Sequence, residues 1–304
     1  MLQSKQSDAF LAVIETGSFE AASAQLHLTA AAVSLRVQSL EKALGQILIV
    51  RERPCRPTLV GQQLLEHLQH IRLIQEGFLQ NIQERTADSA CYKIRVGSNA
   101  DSLSTWLLGA LQEILIKANI VLELNIDDQT QTYHLLETGL VNACISTEPQ
   151  AMKACVAEPL GLMRYKLVAS ADFCQRWFAQ GLNHQSLQLA PAVIFNEKDH
   201  LHTELLLKHF GLNSQRYPHH YIPSSTAFLH SIELGLGYGL LPLIQMQEQL
   251  ANGSLIELAV DHPVDVALYW HHWKRQSLPL QQLTQHLLQQ ARRYLSPFPE
   301  PKPQ

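Results

Sequence analysis

Along the first 45 positions, apolar residues recur at helical spacing in three short blocks separated by turn residues. Phe10, Val13 and Ile14 fall at i, i+3 and i+4, and Gly17 stands where a helix would cap. Ser18 is placed to cap a second helix over 19–27 that turns Ala22 and Leu26 inward. Thr29 offers a hydroxyl cap to a third helix ending at Leu44, before Gly45. On that third helix Val33, Val37, Leu40 and Leu44 form one stripe, which leaves Ala31, Leu35, Gln38, Ser39 and Lys42 on the opposite face. Two tightly joined helices, the second with a free face near its start, predict a helix-turn-helix whose last helix enters the major groove of DNA. The run ILIVRERPCRPT then reads as a strand and a wing, with Arg51, Arg53 and Arg56 laid along phosphates.

Residues 58–84 contain no proline and space Leu64, Leu68, Ile71, Gln75, Phe78 and Ile82 by 4, 3, 4, 3 and 4. That seam predicts a long linker helix that dimerises through Leu64, Leu68, Ile71, Phe78 and Ile82, with Gln75 placed to fix register; packing within one chain is the alternative. From 92 onward the period changes to strands alternating with helices, beginning YKIRVGS, DSLSTWLLGALQEILIKA and IVLELNID. Such alternation predicts α/β architecture with a mostly parallel sheet. The segment is too long for one such sheet. Two lobes are therefore expected, joined by crossings near Gly161–Arg164 and near Asp261–Val264, with a ligand held between them. The domain map becomes 1–57 for the DNA-binding head, 58–89 for the linker and 90–304 for the sensor. Within the sensor, lobe I takes about 90–162 and 264–295, lobe II about 163–263, and the proline-rich 296–304 is a disordered tail.

Composition narrows the function classes. Hydrophobic residues make up 46% and charged ones 16%, an ordinary globular balance, and no apolar run is long enough to span a bilayer. The start, MLQSKQSDAFLAVIE, lacks the features of a secretory signal, so a cytoplasmic protein, nucleoid-associated when on DNA, is expected. Cys55, Cys91, Cys144, Cys155 and Cys174 are scattered, without C-x-x-C spacing, and suit free thiols. The net charge is −4, yet residues 1–57 carry six basic against five acidic side chains, leaving 17 of the 23 and 22 of the 27 to the remainder. The head is the net-positive segment, as a DNA-binding piece requires.

The residues now on the page carry a family resemblance. SFEAASAQLHLTAAAVSLRVQSLEKALGQILIVR resembles the head of LysR-type transcriptional regulators. The matches are Ala21, Ala22, Leu26, Ala32, Val33, Ser34, Leu40, Glu41, Gly45 and Arg51, then Pro57, Thr58 and Gly61 where wing meets linker. SNADSLSTWLLGAL, DDQTQT, SSTAF and LYWHHW are similar to the ArgP/LysG branch, regulators that sense basic amino acids and control an exporter of lysine and arginine. The resemblance implies a winged helix-turn-helix, a long linker helix and a two-lobed α/β effector domain like a periplasmic binding protein. It also implies a homodimer or homotetramer, with promoter DNA, an amino-acid effector and, as a further candidate, RNA polymerase for partners. Where the family pattern supplies glutamine or another polar group, this chain has Ala30, Ala31 and Leu35, which can pack on a thymine methyl but cannot donate to base edges. Base readout is then expected from such contacts together with Thr29, Arg36, Gln38 and Ser39, while Ser34 resembles the family serine that meets the DNA backbone.

In the sensor, Asn99, Asp101 and Ser102 lie between the first strand and its helix, the end of a strand at which open α/β sheets bind ligands. Backbone amides there suit an α-carboxylate, with Ser102 as cap and further donor. A basic amino acid also needs negative groups, for which Asp101, Asp127 and Asp128 stand at strand ends. Ser146 and Thr147 end the third strand, and Ser224 and Ser225, before the 226–235 helix, are placed to close from the second lobe. Each aspartate has helix capping or solvation as its plainer use, and Trp106 is expected in the core. A sensor without specific DNA readout, or one answering another metabolite, are the alternatives. Fifteen histidines include the near pairs His200/His202, His219/His220 and His271/His272, but none has a partner at zinc-like spacing, so no metal is expected. No cofactor is expected, and no nucleophile elbow or phosphate loop follows a strand, so the chain does not read as an enzyme.

Overall fold

The computed structural model describes residues 4–65, 67, 68, 71, 72, 75, 91–127, 132–137, 139–213 and 217–299. Two compact units emerge, Met1–Ala87 with Glu137–Leu140, and Asp88–Leu136 with Val141–Gln304. Among the described residues no helix is long and apolar enough to cross a membrane.

The first unit opens with helices α1 (Ser4–Thr16), α2 (Phe19–Leu26) and α3 (Ala30–Leu44). Their boundaries follow from the capping residues. Ser18 Oγ accepts from Ala21 N at 3.0 Å and Thr29 Oγ1 from Ala32 N at 3.2 Å, while Gly17 (φ 73) and Gly45 (φ 66) take the left-handed turn that ends a helix. Val33, Val37 and Leu40 are fully buried with Phe10, Val13 and Ala22, each of the five larger side chains contributing about 1.5–3 kcal/mol of transfer free energy. Leu44, the fourth member of the expected stripe, is 41% exposed: at the helix end it lies outside the head core.

The wing is a two-stranded antiparallel ribbon, β1 (Ile49–Val50) on β2 (Arg56–Pro57). Glu41 ties it to α3, its Oε1 accepting from Leu48 N at 2.9 Å. Thr58 Oγ1 donates to the Ile47 carbonyl at 2.7 Å and accepts from Gly61 N at 3.0 Å, fixing the start of the next helical segment. A Cβ on Gly61 would collide with the Leu48 carbonyl oxygen, so only glycine lets the wing and that segment meet. Leu65 and Leu68 are buried in the head core and Leu64 packs against it. Leu64 and Leu68, the first two positions of the expected dimer seam, therefore have apolar partners within their own chain. Ile71 lines a cavity beside Leu11, Leu26 and Leu68, and Phe78 and Ile82 lie outside the described residues.

The second unit is built on a seven-stranded sheet, in the order β10 (Leu255–Glu257), β6 (Cys155–Ser170), β11 (Val264–Trp273), β5 (Ala143–Ser146), β3 (Tyr92–Ser98) and β4 (Ile120–Ile126), with β9 (Gly239–Pro242) also pairing β6. Strands β3 (Tyr92–Ser98), β4 (Ile120–Ile126) and β5 (Ala143–Ser146) run parallel around β3. The sheet is mixed rather than mostly parallel, because β6 (Cys155–Ser170) and β11 (Val264–Trp273) are long antiparallel partners and β9 (Gly239–Pro242) and β10 (Leu255–Glu257) pair β6 antiparallel as well. A helix leaves β3 as Ala100–Ser102, passes through a π turn at Leu103–Leu107 and continues as Leu108–Lys117 (together α4). Helix α5 (Thr132–Glu137) precedes β5, and α6 (Ala171–Trp177) and α7 (His184–Leu189) follow β6. A short parallel pair, β7 (Ala192–Ile194) with β8 (His219–Tyr221), carries α8 (His200–Phe210) between its strands. Helices α9 (Ser225–Glu233), α10 (Gln247–Asn252) and α11 (Leu278–Ala291) complete the unit. Trp106 and Trp270 are wholly buried, the first as expected from the sequence.

Strands β6 and β11 are the two crossings between lobes. The first contains Gly161–Arg164, the second begins at Val264, and their register slips between Leu268 and Tyr269, opposite Gly161 and Pro159. Gly161 sits at φ 145, and a Cβ there would meet the Leu295 Cβ at 2.7 Å and the Ser296 carbonyl at 2.8 Å. Ser296 pairs with Leu162 through bonds of 2.8 and 3.0 Å, and the Phe298 ring lies 5.5 Å from that of Tyr269. Residues 296–299 thus brace the crossing and are not part of a disordered tail; the proline-rich composition that suggested one hides a backbone pairing and an aromatic contact. Residues 300–304 are outside the description.

Candidate functional site

The exposed face of α3 is the one the spacing predicted. Ala31, Leu35, Gln38, Ser39 and Lys42 are exposed, Leu35 to 66%, and Ala30, Ser34 and Arg36 are half-buried. Thr29 is exposed and occupied as the helix cap. Several of the polar groups are already engaged. Ser39 Oγ accepts from Gln6 Nε2 at 2.8 Å. Arg51 lies 3.7 Å from Glu41 and 5.2 Å above the centre of the Phe19 ring, and Arg53 lies 3.9 Å from Glu20. Arg56 is exposed on β2. These exposed pairs are weak, on the order of 0–1 kcal/mol, so they exchange readily for phosphate. The face offers a hydrophobic tooth at Leu35 with the exposed Gln38 on the same side, not a row of donors.

Within the second unit, a cavity of about 410 Å³ lies between the lobes, lined among others by Asn99, Asp101, Asp127, Thr147, Tyr165 and Ser225. That volume is in the range of small-molecule sites. Asn99 occupies the cap position of α4, yet its side chain makes no capping bond; it is 5% exposed, and its Oδ1 has no hydrogen-bond partner. Ser102 is not the cap that the sequence suggested: it is the third residue of the helix, fully buried, its Oγ equally unpartnered. Buried polar atoms without partners are rare in folded proteins, and one at a cavity wall marks a place a ligand can satisfy.

Asp101 ties three elements together. Its Oδ2 accepts from the Tyr165 hydroxyl on β6 at 2.8 Å, and its Oδ1 from the Ser225 hydroxyl at the start of α9 at 2.9 Å. Gln245 Nε2 in turn donates to the Ser225 carbonyl at 3.0 Å. Burial pushes the Asp101 carboxyl above its ordinary value, against the pull of the two hydroxyls, and raises the Tyr165 phenol as well. A carboxylate held in this way pairs favourably with a cation, because the two hydroxyls only partly offset the desolvation it has suffered.

The other expected residues divide. Asp127 and Thr147 line the cavity, and Asp128 is outside the described residues. Ser146 is fully buried behind the wall, its Oγ accepting from Glu148 N at 3.2 Å. Ser224 is exposed and caps α9, accepting from Ala227 N at 3.5 Å, so its neighbour Ser225 is the serine of the cleft. Lobe II contributes residues that the sequence reading missed, namely Phe195, Lys198, Asp199 and Glu204, with Tyr165 and Asp265 from the crossing strands. Asp199 had one legible signal, its position before the amphipathic HLHTELLLKHF; its Oδ1 caps α8 through Leu201 N at 3.2 Å. Asp265 is held by Arg164 through two bonds of 2.7 and 2.8 Å.

Of the near pairs of histidines, His202, His271 and His272 are packed into the fold, whereas His200 lines the cavity. His202 is buried against the rings of Tyr217 and Tyr238, and its pKa is pushed down to about 3 by that burial. His271 Nε2 lies 2.7 Å from the Glu148 carbonyl and His272 Nε2 3.4 Å from Glu158.

Comparison with known proteins places both units. Residues 4–62 match the bacterial regulatory helix-turn-helix protein, lysR family, and residues 87–292 match the LysR substrate binding domain. The HTH-type transcriptional regulator ArgP of Vibrio parahaemolyticus is 37% identical over 97% of this chain and 98% of its own length. The crystal structure of ArgP from Mycobacterium tuberculosis superposes with a TM-score of 0.83 at 34% identity, covering 98% of this chain and all of that one. Full-length LysG from Corynebacterium glutamicum with bound effector Arg gives 0.75 at 30% identity, over 96% and 99%.

Proposed function

The chain belongs to the LysR family of bacterial helix-turn-helix transcriptional regulators, which are not enzymes, and from that premise we propose that a basic amino acid, L-lysine or L-arginine, controls its hold on promoter DNA. The observation that carries this is the charge of the cleft. Asp101, Asp127, Asp199, Glu204 and Asp265 line it, against Lys198 as the single lysine or arginine among its described lining residues. An apolar stretch of wall, with Phe195, Phe228 and Leu240, suits an aliphatic stem. The backbone amides that start α4 suit an α-carboxylate, and the unpartnered Asn99 Oδ1 suits an α-ammonium. The arginine held by the Corynebacterium relative supports the same class of effector.

The effector acts by favouring one arrangement of the lobes over another, since it stabilises whichever state it contacts more fully. DNA contact is assigned to Thr29, Ala30, Ala31, Ser34, Leu35, Arg36, Gln38 and Ser39 on α3 and to Arg51, Arg53 and Arg56 on the wing. Assembly as a homodimer or homotetramer is assigned to the linker, with Ile71, Phe78 and Ile82 as the seam positions left beyond the head core. The resemblance to the ArgP/LysG branch extends the proposal to a regulated gene for an exporter of basic amino acids. A second reading, an anionic metabolite as effector, has Lys198 in its favour. A thermal-shift screen of the twenty amino acids against the full chain separates them: a rise with lysine or arginine supports the proposal, and a rise with acidic ligands alone sinks it.

A further inference from the structure

The cleft holds five carboxylates, and their surroundings are not equivalent. Asp265 is saturated by the two bonds from Arg164. Both oxygens of Asp101 accept hydroxyls. Asp199 spends its oxygens on the backbone, capping α8 through Leu201 N and lying 3.4 Å from Phe195 N. Asp127 stands at the end of β4 and has partners of its own. Glu204 differs from all four: it is exposed toward the cavity, one helical turn beyond His200 and Leu201 on the lining face of α8, and it has no ion pair among the described residues. The opposite face of α8 is fixed, because His202, Leu205 and Leu206 are buried. The helix therefore cannot roll, and Glu204 is held at the wall on a rigid support.

A carboxylate cluster by itself marks nothing, but the same cavity is also lined by Asn99, from the end of another element, 5% exposed with an unpartnered Oδ1. Two ends of a ligand are thereby specified: a backbone end at Asn99 on lobe I and a distal end at α8 on lobe II. We propose that Glu204 is the specificity residue that reads the positively charged end of the effector's side chain, the guanidinium of arginine or the ammonium of lysine. The assignment rests on the basic-amino-acid reading above and deepens it. The aliphatic stem then passes Phe195 and Leu201, and the distal cation meets the cleft carboxylate that pays least desolvation, since Glu204 is still partly hydrated before binding.

The test is calorimetric titration of the full-length chain and of Glu204→Gln with L-arginine, L-lysine and L-citrulline, the last keeping the length of arginine without its charge. The wild type is expected to bind arginine about ten-fold or more tighter than citrulline, and Glu204→Gln to lose about five- to twenty-fold toward arginine and lysine while binding citrulline within about two-fold of the wild type. Because Glu204 is exposed, the variant is expected to unfold at the wild-type temperature. Equal arginine affinity in both proteins, or equal losses for arginine and citrulline, overturns the assignment alone. A wild type that binds neither arginine nor lysine overturns the assignment and the effector reading together.

Discussion

Replacing Asp101 by Asn tests the cleft at its most connected residue. The amide keeps one oxygen that can accept, but its NH2 cannot, so of the two hydroxyls now bonded at 2.8 and 2.9 Å one must turn elsewhere. Hydrogen bonds to a charged group contribute about 1.5–3 kcal/mol each, and that is the structural part of the loss. The functional part is the charge. A cation about 4 Å from the carboxylate gains on the order of 4 kcal/mol at an effective dielectric near 20, part of which is spent on desolvation. A net loss of about 2–4 kcal/mol follows, or roughly 30- to 1000-fold in affinity. Because burial has raised the carboxyl, affinity should also fall as pH is lowered, when a cationic ligand must displace a proton. The assay is calorimetric titration of full-length wild type and Asp101→Asn with L-arginine and L-lysine at two pH values, alongside thermal unfolding. If the variant unfolds as the wild type does and binds both ligands within about two-fold, the carboxylate is a latch between Tyr165 and Ser225 and the reasoning about its charge is wrong.

Three further outcomes are expected. His202 has a folded pKa of about 3 against 6.5 unfolded, so its contribution is intact above pH 6.5 and lost as pH falls toward 3. Denaturant titrations should show about 2 kcal/mol less stability from this group at pH 4.5 than at 6.5, and His202→Leu should flatten that slope; parallel slopes would exclude the histidine as the cause. Gly61→Ala should destabilise the head by more than about 2 kcal/mol, because its Cβ would collide with the Leu48 carbonyl; an unchanged unfolding midpoint would contradict the close approach. In DNA selected from a random pool, exchanging each thymine for uracil should weaken binding about three-fold or more at one position per half-site, and Leu35→Gln should abolish that sensitivity; indifference to uracil throughout would show that Leu35 does not read a methyl.

Where local chemistry decides, the sequence was sufficient. The three head helices, their caps at Ser18 and Thr29, the glycine stops and the exposed face of α3 follow from side chains reaching one to four residues along the chain, and the structure has them at the expected positions. The alternation of strands and helices after 92 was legible for the same reason, as was the place of Asn99 at the end of the first strand, although the helix starts one residue later, at Ala100.

What the chain could not disclose is set by contacts across long separations. Strand direction is one example: β6 and β11 read locally as strands like any other, and only their pairing, about a hundred residues apart, makes them antiparallel crossings with Gly161 opposite the slip. The tail is another, since its prolines and charges suggest disorder until Ser296 is seen on Leu162. Most of lobe II's share of the cleft falls in the same class. Tyr165, Glu204 and Ser225 come together with Asp101 because α8, α9 and β6 converge there, so Ser225 rather than Ser224 faces the cavity and Ser102 lies buried behind it. Periodicity fixes which side of an element is apolar; it takes the packed fold, which pairs each buried face with a particular neighbour, to decide what the polar side meets.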